Sequence, residues 1–198
     1  RLEPGLIHHM AHGQVIIGEF QRWPEPRTHD IATLFRQAGV PCSVTDNLAR
    51  THWEKLTWNI PFNGLGVAGV AGLEAVLRGK WNRHEPAGKC LTTDLLLGDE
   101  RWTQLLRELM LEVIVAARAL GFDIPESMAD KQIERTRTMG AYKASTLIDF
   151  ERGLPLELES LFLEPLRQAK QAGANVPRLE AMCQVLAQLA PGAPVQGK

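Results

Sequence analysis

The 198-residue sequence is short of cysteine, carries no excess of charge and has no long apolar run. Its three cysteines, Cys42, Cys90 and Cys183, are odd in number and far apart. They form neither a CxxC pair nor a Cys/His ligand spacing, so a reducing cytoplasm is the expected compartment. A formal net charge of −1 and the lack of any Lys/Arg cluster give nucleic acid and membrane surfaces nothing to bind. The longest apolar run, 64–77, is too short and too rich in glycine to span a bilayer. No signal peptide is expected from the opening residues, and the sequence shows no internal repeat, no GxSxG, no Walker loop and no HExxH. The sequence opens on Arg1 rather than Met, and the expectation is a piece cut from a longer product. What is present is ordinary for a globular chain: 44% hydrophobic residues, and a length that suits one sizeable domain.

Residues 5–20 alternate in the manner of a β-hairpin, with His12-Gly13 as the turn signal. His8, His9 and His12 suggest a metal only weakly, because strand alternation sends His8 and His9 to opposite faces. Beyond residue 20 nearly everything reads as helix. Asp30 caps a short helix through Gln37, and 41–44 is a short extended piece. Thr45, Asp46 or Asn47 caps the next helix, which is expected to kink near Pro61. Gly64-Leu65-Gly66-Val67-Ala68-Gly69 is a literal GxGxxG. No buried strand precedes it and no second strand follows, so it reads as close helix packing and not as a dinucleotide loop. Residues 78–98 are the least regular stretch. Asp99 then opens a long helix to Leu120, with Leu105, Leu106, Leu109, Val113, Ala116, Ala117 and Leu120 on its apolar face. Helices are expected at 127–139, 142–152, 155–172 and 179–189.

Two groups of polar residues stand out. Lys55, Asn59 and Asn63 recur at four-residue steps and share one helix stripe among Trp53, Leu56, Trp58, Ile60 and Phe62. The bland reading is a snorkelling lysine and surface amides. The functional reading is one wall of a site for a small oxygen-rich ligand, with Lys55 as proton donor or anion anchor. The second group is Ser145 and Asp149, four apart on one helix, followed by Glu157 in the first turn of the next. For Glu157 a capping role at the helix start is the ordinary explanation.

Trp53-x-Lys55-Leu56-x-x-Asn59-x-x-x-Asn63 and the block from Lys143 through Ser145, Asp149 and Glu157 resemble the C-terminal domain of the ketopantoate reductase family. The stretches 117–125 and 172–177 resemble its two helix-Gly-x-x-x-Pro joints. Residues 4–20 resemble the last strands of its N-terminal Rossmann domain. The resemblance implies a mainly α fold, a helical bundle of the 6-phosphogluconate-dehydrogenase C-terminal type preceded by a short β-hairpin remnant. The implied division is a Rossmann remnant at 1–28, a helical substrate domain at 29–190 and a flexible tail at 191–198.

The family reduces 2-dehydropantoate to pantoate with NADPH, in pantothenate biosynthesis. By that likeness Lys55 is the general acid, Glu157 the active-site glutamate, and Asn59, Asn63 and Ser145 substrate-binding residues. The partner is a small 2-oxo acid, with a homodimer possible. The family's dinucleotide loop is not in this chain, so the chain alone is expected to bind NADPH poorly and to be inactive. Leu163 stands where the family commonly has glycine. The competing reading is a non-catalytic helical dimerisation or interaction module, using Trp102, the leucine-rich helix after it and the strand edge at 5–20.

Overall fold

The structure is a computed structural model describing residues 3–5, 13–20, 22–82 and 87–190. It divides into two compact units, 1–51 and 52–198. A division at residue 28 falls inside a helix, α1 (Pro26–Gln37). The expected tail at 191–198 lies outside the described residues.

The first unit holds β1 (Val15–Ile17), α1 and β2 (Cys42–Val44). The strands pair in parallel, Val15 opposite Cys42 and Ile17 opposite Val44. The hairpin expectation is therefore corrected for Val15–Ile17. Parallel strands need a crossover, and α1 provides it. Residues 6–12, with His8, His9 and His12, lie outside the described residues. The helix also starts earlier than Asp30. Pro26, with its φ already set, opens it after Glu25, whose N–H donates to Thr28 Oγ1 at 3.2 Å. Thr28 Oγ1 in turn donates to Glu19 at 2.7 Å, and Arg27 donates two further bonds to the same carboxylate. The Arg27 guanidinium first, then the Thr28 hydroxyl, hold the Glu19 carboxyl down to about 2 from 4.5. That contribution is complete above about pH 4.5 and is lost only as pH falls through about 2.

The second unit is built on α2 (Leu48–Ala68), whose first turn belongs to the first unit. Asn47 Oδ1 accepts the N–H of Arg50 at 2.9 Å and starts the helix. The helix continues through Pro61. A 3₁₀ turn (Gly69–Ala71) and α3 (Leu73–Arg78) follow. The GxGxxG residues lie in α2 and this turn, and they are contact points. A Cβ on Gly64 would meet Met182 and Phe162, one on Gly66 the Leu91 carbonyl and Leu147, and one on Gly69 the Leu91 side chain. Close packing is thus the role of these glycines, as the sequence suggests.

The irregular stretch is pinned to the same helix. Leu91 N donates to Gly66 O at 2.8 Å and Gly88 N to Val70 O at 2.8 Å. It also contains a helix not expected from sequence, α4 (Thr93–Gly98). Asp99 then caps α5 (Glu100–Ala119), accepting the N–H groups of Arg101 and Trp102. Of the seven residues expected on its apolar face, six are buried, and Leu120, at the end of the helix, is only half-buried. This helix packs against α4, α6 (Ser127–Arg137), α8 (Glu164–Gln171) and α9 (Pro177–Leu189).

Two helix starts are held from elsewhere. Val176, before α9, has no polar side chain, and Glu112 of α5 takes its place. Its two oxygens accept the N–H groups of Arg178 at 3.1 Å and Leu179 at 2.9 Å. Ala144, before α7 (Ser145–Glu151), is equally unable to cap, and α2 supplies the acceptor there.

The expected helix from Pro155 does not form. Residues 154–157 stay irregular, and a wide π turn (Leu158–Leu163) leads into α8. Pro165 lacks an N–H and its ring would crowd the Leu161 carbonyl of a regular α-helix. A wider turn relieves both problems.

Within α9, Cys183 is buried, and burial pushes its thiol up to about 12. The thiolate is the reactive form, so Cys183 should stay unalkylated by iodoacetamide at pH 8 until the chain is unfolded. Mass mapping of the labelled cysteines checks this.

No helix among the described residues is long and apolar enough to cross a membrane. No group of three or more His, Cys, Asp or Glu among them could hold a metal ion.

Candidate functional site

The stripe on α2 runs from water into the core. Lys55 is exposed, Asn59 is half-buried and Asn63 is 2% exposed. This gradient follows from the neighbours: Ile60, Phe62 and Leu65 are buried at the inner end. His52, one turn before Lys55, has its imidazole lowered from its usual value, by partial burial first and the Lys55 ammonium second.

Asn63 joins the two groups read from sequence. Its Oδ1 accepts the Thr146 N–H at 2.9 Å and the Ser145 hydroxyl at 3.4 Å. Its Nδ2 donates to the Asn59 carbonyl at 3.0 Å. Residues more than 80 positions apart meet here, at the start of α7. Ser145 itself is exposed.

Lys55, the Asn59 side chain and Glu157 make no hydrogen bond or ion pair with one another or with Ser145 among the described residues. Glu157 is exposed and precedes the π turn, so its placement in a first helical turn is corrected. Its carboxylate makes no capping bond to the helix start, which removes the ordinary explanation for it.

Sequence reasoning missed the aromatic wall beside Asn59. Trp58 stacks on Phe62 at 4.8 Å and meets Tyr142 edge-on at 6.3 Å, while its Nε1 donates to Thr136 Oγ1 at 2.8 Å. The available signal was the adjacency of Trp58 to Asn59. Thr146 was missed as well. Its hydroxyl is buried and has no hydrogen-bond partner among the described residues.

A groove of about 590 Å³ lies elsewhere on this unit, lined by Val70, Lys89, Cys90, Thr92, Lys143 and Glu151 among others. None of the five candidate residues lines it. Its Lys143 pairs with Glu151 at 2.6 Å.

The family model for the ketopantoate reductase PanE/ApbA C terminal matches residues 81–190. The chain belongs to the ketopantoate reductase family. Among its relatives, the 2-dehydropantoate 2-reductase of Nostoc sp. (strain PCC 7120) is 31% identical over 183 residues, covering 90% of this chain and 51% of that protein. The crystal structure of 2-dehydropantoate 2-reductase from Geobacter metallireducens matches with TM-score 0.79 and 39% identity, over 95% of this chain and 56% of that one. A dimeric ketopantoate reductase from Staphylococcus aureus shares the fold with TM-score 0.67 at 18% identity, over 91% of this chain and 55% of that one. The chain spans about half the length of the curated relatives it matches. The mainly α architecture and the ketopantoate reductase C-terminal domain are thus both established.

Proposed function

We propose that the protein carrying this chain reduces the ketone of a 2-oxo acid, ketopantoate or a close relative, to a hydroxyl with NADPH, and that the second unit binds the acid. The observation that carries this is the bond from Asn63 to the start of α7, which brings Ser145 to the inner end of the Lys55–Asn59 stripe. An ammonium, an amide and a hydroxyl then face one ligand, and each polar end of a hydroxy-oxo acid finds a partner. Lys55 stabilises the charge that grows on the ketone oxygen during reduction and gives that oxygen its proton. Asn59 and Ser145 orient the acid. Glu157, free of any capping duty, is by the family likeness the active-site glutamate.

A reduced nicotinamide supplies the hydride when bound. Gly64–Gly69 does not fit it, because Leu91, Met182 and Phe162 fill the space in front of those glycines. No residue of this chain is assigned to the cofactor. A homodimer is the proposed assembly, in line with the Staphylococcus aureus relative.

The test is NADPH oxidation followed at 340 nm with ketopantoate and a panel of other 2-oxo acids. The expected result is a kcat/KM for ketopantoate at least about 10²-fold above that for pyruvate, which lacks the hydroxyl that a polar site is built to meet. No oxidation with any 2-oxo acid overturns the reading.

A further inference from the structure

We propose that the groove lined by Lys89, Lys143 and Glu151 is a second ligand site, one for a small monocarboxylate with an apolar tail. It shares no residue with the α2 stripe, and Ser145 does not line it. On α7, Phe150 and Glu151 lie about 140° and 240° round from Ser145 at 3.6 residues per turn. The groove therefore opens on another side of the helix from the Ser145 hydroxyl.

Three stretches build it, and two of them are tied together by backbone bonds. Val70 lies in the 3₁₀ turn after α2, and its carbonyl accepts the Gly88 N–H at 2.8 Å. Just past Cys90, Leu91 N donates to Gly66 O at 2.8 Å. The approach is close: a Cβ on Gly88 would sit 3.3 Å from the Gly69 carbonyl oxygen and 3.4 Å from that of Val70. The 88–92 stretch is thus held against the end of α2, so this wall exists before any ligand arrives. The volume of about 590 Å³ falls within the range of small-molecule sites, roughly 300–1,000 Å³.

Charge selects the occupant. Two ammonium groups and one carboxylate line the groove, which leaves one positive charge in excess. Lys143 is paired with Glu151, whereas Lys89 makes no hydrogen bond or ion pair among the described residues. Burial first, and the Glu151 carboxylate second, push the Cys90 thiol up, so it adds no negative charge. No guanidinium lines the groove, and a phosphate finds no bidentate partner there. A single carboxylate matches the one free ammonium. Val70, Cys90 and Phe150 are half-buried and border the same space, which suits a short hydrocarbon chain.

The test is an NMR titration of the protein carrying this chain, at low ionic strength, with hexanoate, acetate and hexylammonium. Hexanoate should shift the amide signals of Lys89, Cys90 and Glu151, with a Kd on the order of 1 mM. Acetate lacks the tail and hexylammonium has the wrong charge, so each should bind at least about 10-fold more weakly. Lys89→Ala should weaken hexanoate by about 5-fold or more. Glu151→Gln removes the one opposing carboxylate and releases Lys143, so it should tighten hexanoate by about 3-fold.

Equal binding of hexylammonium makes the groove a merely apolar surface, and acetate as tight as hexanoate makes it a counter-ion spot; either overturns the proposal. So does an unmoved Kd in Lys89→Ala, or weaker binding in Glu151→Gln, which would give the ion pair the task of shaping the groove. No shift at these residues up to about 20 mM, some twenty times the expected Kd, ends the idea outright. Readout by residue keeps the result apart from the reading of the α2 stripe. Shifts confined to Asn59 and Ser145 place hexanoate in the acid site and overturn only the second site.

Discussion

Lys55→Ala, in the protein carrying this chain, is expected to lower kcat by about 10²–10⁴-fold, the usual loss when a general acid is removed. The KM for the acid should change far less, because the amide and hydroxyl contacts remain. Steady-state kinetics with NADPH and ketopantoate measure both. The companion variant Lys55→Arg separates the two duties of the ammonium. A guanidinium keeps the positive charge near the developing oxyanion but does not give up its proton at ordinary pH. Recovery of part of the loss by Lys55→Arg assigns that part to charge stabilisation, and the remainder to proton transfer. A Lys55→Ala protein with near-parental turnover rules out both duties. Exposure of Lys55 is no obstacle, since a group that must reach a ligand cannot be packed away.

Glu112→Ala is the second large effect, on stability. It leaves the Arg178 and Leu179 N–H groups without acceptors and removes one of the two carboxylates facing the Arg178 guanidinium. Glu112 is only 8% exposed and Leu179 is fully buried, so water does not replace the lost bonds easily. The expected cost is about 2–4 kcal/mol, from one buried and one part-buried donor left unsatisfied and a weakened ion pair. At roughly 2–4 °C per kcal/mol for a chain of this size, the melting temperature falls by several degrees or more. Thermal unfolding followed by circular dichroism checks it. Glu112→Gln keeps one acceptor oxygen and should lie between the two. A Glu112→Ala melt within a degree of the parent removes the capping role.

The residue pattern carried the helical unit well. The apolar face of α5, its Asp99 cap and the stop at Gly121 follow from local chemistry, and each stands where periodicity places it. The GxGxxG segment was legible as a packing motif because its flanks lacked strands. Other features depended on partners far along the chain. Val15–Ile17 pairs with Cys42–Val44 across a whole helix, a choice that strand alternation does not encode. Pro155 carries a helix-opening signal, but Pro165 ten positions later governs the winding of the segment. The stripe and the Ser145 block were visible separately. Their meeting was not, because the joining bond spans most of the helical unit.

Neither α7 nor α9 contains the acceptor that ties down its own first N–H groups. Exchanging either one between relatives as a self-contained cassette therefore transfers an incomplete module: residue 63 has to travel with the first, and residue 112 with the second.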